Sequence, residues 1–162
     1  MNAMSIDGDE LRELYRELIL DHAKTPRHFG KLEDATHCAE GINPLCGDKL
    51  RLYFRLDDDN RISDARFEGS GCAISVASAS LLTETVIGLE TDRALEFFAA
   101  MVERLAGRPD ASRPAAAEDI DLGKLRALEG VKEFPSRVKC ATLAWHALKA
   151  ALQQKQRPVS TE

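Results

Sequence analysis

Leu50-Arg51-Leu52-Tyr53-Phe54-Arg55-Leu56, then Asp57-Asp58-Asp59-Asn60, then Arg61-Ile62-Ser63-Asp64-Ala65-Arg66-Phe67 is the stretch that decides the fold. In its first part Leu50, Leu52, Phe54 and Leu56 alternate with Arg51, Tyr53 and Arg55. Period two places the apolar set on one face of a strand. The Asp-rich quartet reads as a turn. It lacks the glycine and distal glutamate of a calcium-binding loop. In the return strand Ala65 and Phe67 are in phase and Ile62 is out of phase, which predicts a bulge. So short a connection predicts an antiparallel hairpin.

Outward from the hairpin, a short strand is expected over 36–42. Everything else of regular pattern is helical. Leu11, Leu14, Tyr15, Leu18 and Ile19 form an apolar stripe at helical spacing, with Asp7 and Glu10 in capping-box relation or Asp9 as the cap. That helix is expected to run to Lys24 and stop at Thr25-Pro26. After Cys72 a helix rich in small residues runs toward Gly88, open to close packing by another element. Thr91 or Asp92 caps the next helix, which continues through Phe97, Phe98, Met101 and Leu105 to Gly107. Residues 107–114 read as a loop and 121–128 as a short helical piece. The last helix starts near Pro135, with Val138, Ala141, Trp145, Leu148 and Leu152 as its core face and Cys140 on an adjacent face. The polar tail after 153 is expected to fray. Strands followed by helices predict an α+β fold, a small antiparallel sheet of about three strands flanked by helices.

The whole chain, 1–162, reads as one domain, long enough for a core of its own. Apolar residues are 44 % and charged residues 30 %, which excludes wholesale disorder. The net charge of −5 comes without a basic stripe, so no nucleic-acid partner is expected. No apolar run approaches the ~18 residues of a membrane span, and the N-terminus does not read as a signal peptide. The expectation is a cytoplasmic protein with no membrane partner.

Four cysteines are too few for a disulfide scaffold and, in a reducing compartment, point to metal or thiol chemistry. Three of them sit in marked settings: Pro44-Leu45-Cys46-Gly47-Asp48, Gly69-Ser70-Gly71-Cys72 and Arg137-Val138-Lys139-Cys140. Cys46, Cys72, Cys140 and Asp48 together are a complete donor set for one four-coordinate zinc ion. Such a set can hold a metal, carry sulfur, or do both. Cys72 opens a helix and Cys140 is early in one, where the helix N-terminus favours the thiolate. Spacing alone does not bring the segments together. Cys38, with no ligand pattern around it, reads as a small buried apolar residue. His22, His28 and His146 read as surface or satisfied core residues. His37, beside Cys38, is the histidine to watch.

Three of these segments carry a resemblance: Asn43-Pro44-Leu45-Cys46-Gly47-Asp48, Phe67-Glu68-Gly69-Ser70-Gly71-Cys72-Ala73-Ile74-Ser75, and Arg137-Val138-Lys139-Cys140-Ala141-Thr142-Leu143-Ala144-Trp145. From Leu14 to Leu152 the chain resembles the U-type iron–sulfur cluster assembly proteins, most of all their SufU-type branch. The resemblance implies the same α+β fold, with Cys46, Asp48, Cys72 and Cys140 meeting at one exposed end. It implies Zn2+ at those four residues, with iron or an Fe–S cluster as the alternative occupant. It also implies that Cys46 accepts persulfide sulfur from a cysteine desulfurase of the SufS type, for delivery to a downstream Fe–S assembly scaffold. Arg137 is the candidate stabiliser of the anionic sulfur.

Two departures from the IscU-type branch bear on function. Lys139 stands where that branch has histidine, and Gly130-Val131-Lys132-Glu133-Phe134-Pro135 replaces its Leu-Pro-Pro-Val-Lys chaperone-binding segment. An insertion around 108–130 is a further SufU-like trait. These favour a zinc-dependent sulfurtransferase over the alternatives, a scaffold for cluster assembly or a purely structural zinc module. A dithiol redox protein would need a Cys-x-x-Cys, which is absent.

Overall fold

A computed structural model describes residues 8–106, 120–153 and 159–160. Helix α1 (Gly8–Lys24) is followed by strands β1 (His37–Asn43), β2 (Asp48–Leu56) and β3 (Ile62–Ser70). Helices α2 (Ala73–Val86) and α3 (Thr91–Ala106), a 3₁₀ helix over Gly123–Glu133, helix α4 (Pro135–Leu152) and strand β4 (Val159–Ser160) complete the order. The architecture is α+β, as the alternation of Leu50 to Phe67 predicts.

The hairpin is β2 with β3, antiparallel, and its register slips between Arg55 and Leu56 so that Leu56 faces Ile62. This is the bulge that the phase of Ile62 announces. The turn is fixed by Asp57, whose Oδ1 accepts from the main-chain N–H of Asp59 at 2.9 Å and of Arg61 at 3.0 Å. Leu50, Leu52, Phe54, Ile62, Ala65 and Phe67 are fully buried on the inner face. Strand β1 pairs antiparallel with β2, ending at Asn43 opposite Asp48.

The helix at the centre is α4. It packs on β1 and β2 and is covered by α2 and α3. Ala141, Trp145 and Leu148 are buried as expected, but so are Leu143, Ala144, Ala147 and Ala151, so this helix is buried nearly all round. Two close approaches allow this. Gly41 of β1 lies under α4, where an added Cβ would stand 3.0 Å from Cδ1 of Leu143. The small residues of α2 bring it near enough that Ser78 Oγ donates to the carbonyl of Ala141 at 2.6 Å.

Four expectations need correction. The α1 stripe is not a core face along its length: Leu11 and Leu14 are exposed, 38 % and 50 %. Helix α1 packs mainly on α2 and the 3₁₀ helix, and the buried His22 meets α2 through Ser80 and Glu84. Cys38 is exposed rather than buried, because it falls on the solvent face of β1, between buried Ala39 and half-buried His37. The helical piece expected over 121–128 is the 3₁₀ helix, and it runs on to Glu133. Two residues of the tail, Val159 and Ser160, form β4 and pair in parallel with Gly41 and Ile42 instead of fraying, and the rest of the tail after Gln153 lies outside the described residues. The loop over 107–114 and most of the insertion's first half lie outside the described residues. Among the described residues no helix is long and apolar enough to cross a membrane.

Candidate metal centre

The three cysteine segments converge where β1, β2, α2 and α4 meet. Cys46 stands in the turn 44–47 between β1 and β2, and its main-chain N–H donates to the carbonyl of Asn43 at 3.2 Å. Gly47 takes φ +71°, a left-handed conformation that glycine adopts at no steric cost, and so turns the chain between Cys46 and Asp48. Asp48 opens β2 and is buried. Cys72 caps α2 with extended backbone, and its N–H donates to Oδ1 of Asp48 at 2.8 Å. Cys140 lies in the second turn of α4, fully buried.

Cys46, Asp48 and Cys140 bring one donor atom each to within 4.8 Å of one another. The sulfurs of Cys46 and Cys140 are 3.3 Å apart, and all four cysteines are free. Cys72 stands at the margin of this group. Its half-buried thiol lies 3.8 Å from Ser75 Oγ, and its main chain holds Asp48. The other two sequence-level candidates lie apart. His37 is at the far end of β1 from Asn43, roughly 20 Å along the strand at ~3.3 Å per residue. Its Nδ1 is 2.9 Å from Thr36 Oγ1. Cys38 is its exposed neighbour.

The electrostatics favour a cation here. Burial pushes the Cys140 thiol well above the usual cysteine range, and the neighbouring Cys46, Asp48 and Cys72 add to the effect. Burial thus opposes the thiolate that a place early in α4 favours. Arg137, exposed one turn before Cys140, is the facing cation. Its own pKa is raised by Cys72 first and Cys140 next. Soft sulfur donors with one carboxylate suit zinc or iron.

Asn43, which opens the motif Asn43-Pro44-Leu45-Cys46-Gly47-Asp48, also belongs to the site. Its Nδ2 is 3.4 Å from Oδ2 of Asp48 and 3.6 Å from Sγ of Cys140. The signal available in sequence was an asparagine ahead of proline at a strand end, five residues before Asp48. Gly71 is the other such residue. A Cβ there would stand 2.5 Å from Asp48 Oδ1 and collide with Ser75 Oγ.

Residues 14–141 match the profile of the NifU-like N-terminal domain. The chain is 41 % identical over 146 residues to the zinc-dependent sulfurtransferase SufU of Bacillus subtilis, covering 90 % of this chain and 94 % of that protein. It is 43 % identical over 148 residues to the iron–sulfur cluster assembly scaffold protein IscU of Thermotoga maritima, covering 90 % and 96 %. Among solved structures, a protein assigned to the SUF system of Fervidobacterium islandicum superimposes with a TM-score of 0.73 at 36 % identity, covering 87 % of this chain and 98 % of that one.

Proposed function

Because this chain belongs to the NifU-like N-terminal domain family, we propose that it is a zinc-dependent sulfur carrier in iron–sulfur cluster assembly. Its sulfur comes from a cysteine desulfurase of the SufS type and goes to a downstream Fe–S assembly scaffold. The observation that carries the reading is the gathering of Cys46, Asp48 and Cys140 within 4.8 Å, with Cys46 on a turn at its open side. A zinc ion bound by Cys46, Asp48, Cys72 and Cys140 would supply the positive charge that keeps these thiols ionised at neutral pH.

The acceptor is Cys46. Its thiolate attacks the outer sulfur of the donor's persulfide. A new S–S bond forms on Cys46, the donor's S–S bond breaks, and the donor cysteine leaves as its thiolate. No net oxidation occurs. Cys140 is too deeply buried to meet another protein, and Cys46, half-buried on the turn between β1 and β2, is within a donor's reach. The Arg137 guanidinium, exposed beside the thiols, holds the anionic terminal sulfur. Leu45, 65 % exposed, and Phe134, 56 % exposed, flank the segments that carry Cys46 and Arg137, and offer apolar surface to the donor.

The test is to incubate the protein with desulfurase and cysteine and to map the added sulfur by mass spectrometry. The extra sulfur is expected on Cys46. Sulfur on Cys38 or Cys72 and never on Cys46 overturns the assignment. Zinc content is expected near one per chain and to fall in Cys140→Ser.

A second reading, a scaffold that assembles a cluster on the same residues, is favoured by the 43 % identity to the Thermotoga protein. Lys139 argues for the carrier, since a lysine ammonium offers no lone pair beside Cys140 where imidazole would. Anaerobic reconstitution separates the two. A stable, transferable cluster would favour the scaffold.

A further inference from the structure

Asn43 has a side chain that the sulfur chemistry does not use and that packing alone does not explain. It closes β1, stands opposite Asp48 in the ladder, and is fully buried. Its amide nitrogen faces the carboxylate of Asp48 at 3.4 Å and the sulfur of Cys140 at 3.6 Å. Both neighbours are acceptors when ionised, so an NH2 group is what the position requires. Its amide oxygen is buried without a hydrogen-bond partner among the described residues. An orphan of that kind costs roughly 1–3 kcal/mol. A residue kept for stability alone would avoid that cost, and an aliphatic side chain of similar size would do so.

The Asp48 carboxylate is thus gripped from two sides. Cys72 N–H holds one oxygen and the Asn43 amide holds the other. The same amide reaches Cys140, on another element altogether. Cys46, by contrast, sits on a turn whose next residue is a glycine at φ +71°. Resting on the reading of this site as a metal centre, we propose that Asn43 is a positioning residue that keeps Asp48 and Cys140 in ligating geometry independently of Cys46. Two donors would then stay aimed at the metal while the acceptor sulfur is engaged elsewhere. Hydrogen-bond partners of metal ligands are typically worth ~10–100-fold in metal affinity.

The experiment times zinc release to a chromogenic chelator for wild type, Asn43→Ala and Asn43→Asp, each with and without Cys46→Ser. The same proteins are loaded with cobalt(II) and their absorption spectra compared. Asn43→Asp preserves the side-chain shape while removing the donor. Circular dichroism of the metal-free proteins reports whether each variant folds. Both Asn43 substitutions are expected to speed zinc release about tenfold in the Cys46→Ser background, and less when Cys46 is present. The cobalt ligand-field bands are expected to shift and broaden in both. Equal release rates and superimposable cobalt spectra across the Asn43 series overturn the proposal and leave the metal centre standing. Loss of fold in both variants assigns Asn43 to stability and overturns it as well. A wild-type protein that takes up neither zinc nor cobalt overturns both readings.

Discussion

The main-chain N–H of Cys72 donates to Oδ1 of Asp48 across 2.8 Å, so the first residue of β2 and the cap of α2 form one hydrogen-bonded unit. No side chain of Cys72 is needed for this bond. It survives any change in the state of the thiol, and it orients the carboxylate before any ligand arrives.

Gly71→Ala tests that unit. The backbone at Gly71 accepts an L residue, but the new Cβ would press on Asp48 Oδ1 at 2.5 Å and on Ser75 Oγ. The expected cost is about 1–3 kcal/mol, typical of overpacking, together with loss of bound zinc. Gly47→Ala is the control. Its Cβ meets nothing within 4 Å, and only the φ of +71° opposes it, for roughly 1–2 kcal/mol. Urea denaturation and elemental analysis read the two effects separately.

Arg137→Ala is expected to slow persulfide formation without changing zinc content. The side chain is exposed, so solvent screens its attraction to the sulfurs. A loss of about two- to fivefold in rate is the right scale, shrinking as salt is raised. Arg137→Lys is expected to recover part of it. Single-turnover transfer from a persulfidated desulfurase, measured at two ionic strengths, checks both statements.

His22 carries a pH dependence of stability. It is buried between α1 and α2, with Nδ1 2.7 Å from Ser80 Oγ and Nε2 3.6 Å from Glu84. Burial lowers its pKa, Arg27 lowers it further, and Glu84 opposes them. A histidine whose folded pKa is lowered binds its proton more readily when unfolded. Stability is therefore full above about pH 6.5 and is lost as pH falls from there toward the folded pKa. His22→Gln is expected to flatten that acid-side slope in chelator-stripped protein. His146, also lowered by burial, keeps the remainder. Denaturation midpoints between about pH 5 and 8 give the answer.

Trp145, the chain's one tryptophan, is fully buried with its indole N–H unpartnered among the described residues. Trp145→Phe removes an orphan donor along with part of the ring. It is expected to cost far less than Trp145→Ala, for which about 3–5 kcal/mol is typical. Thermal unfolding followed by circular dichroism compares them.

The hairpin and its bulge were legible because period two is a local property of the chain, and Ile62 broke the phase within a few residues of the turn. The limits of α3 and α4 were legible for similar reasons. The exposure of Leu11 and Leu14 was not. An apolar stripe says which face a helix would bury, and only the neighbouring elements decide how much of it is covered. Cys38 failed in the same way, through the side of β1 on which it fell. The donor residues were legible as types. Their approach, with Cys46 and Cys140 94 positions apart in sequence, is a property of how α4 lies on the sheet. The part played by Asn43 required the β1–β2 register, which no local pattern supplies.

The contact of Gly41 with Leu143 acts as a spacer gauge for that approach. Asn43 lies two residues beyond Gly41 on β1, and Cys140 lies one helical turn before Leu143, so one clearance governs both pairs. A methyl group inserted at Gly41 would stand 3.0 Å from Leu143 Cδ1, so the strain falls first on a leucine rotamer one turn from Cys140, without altering a single coordinating atom.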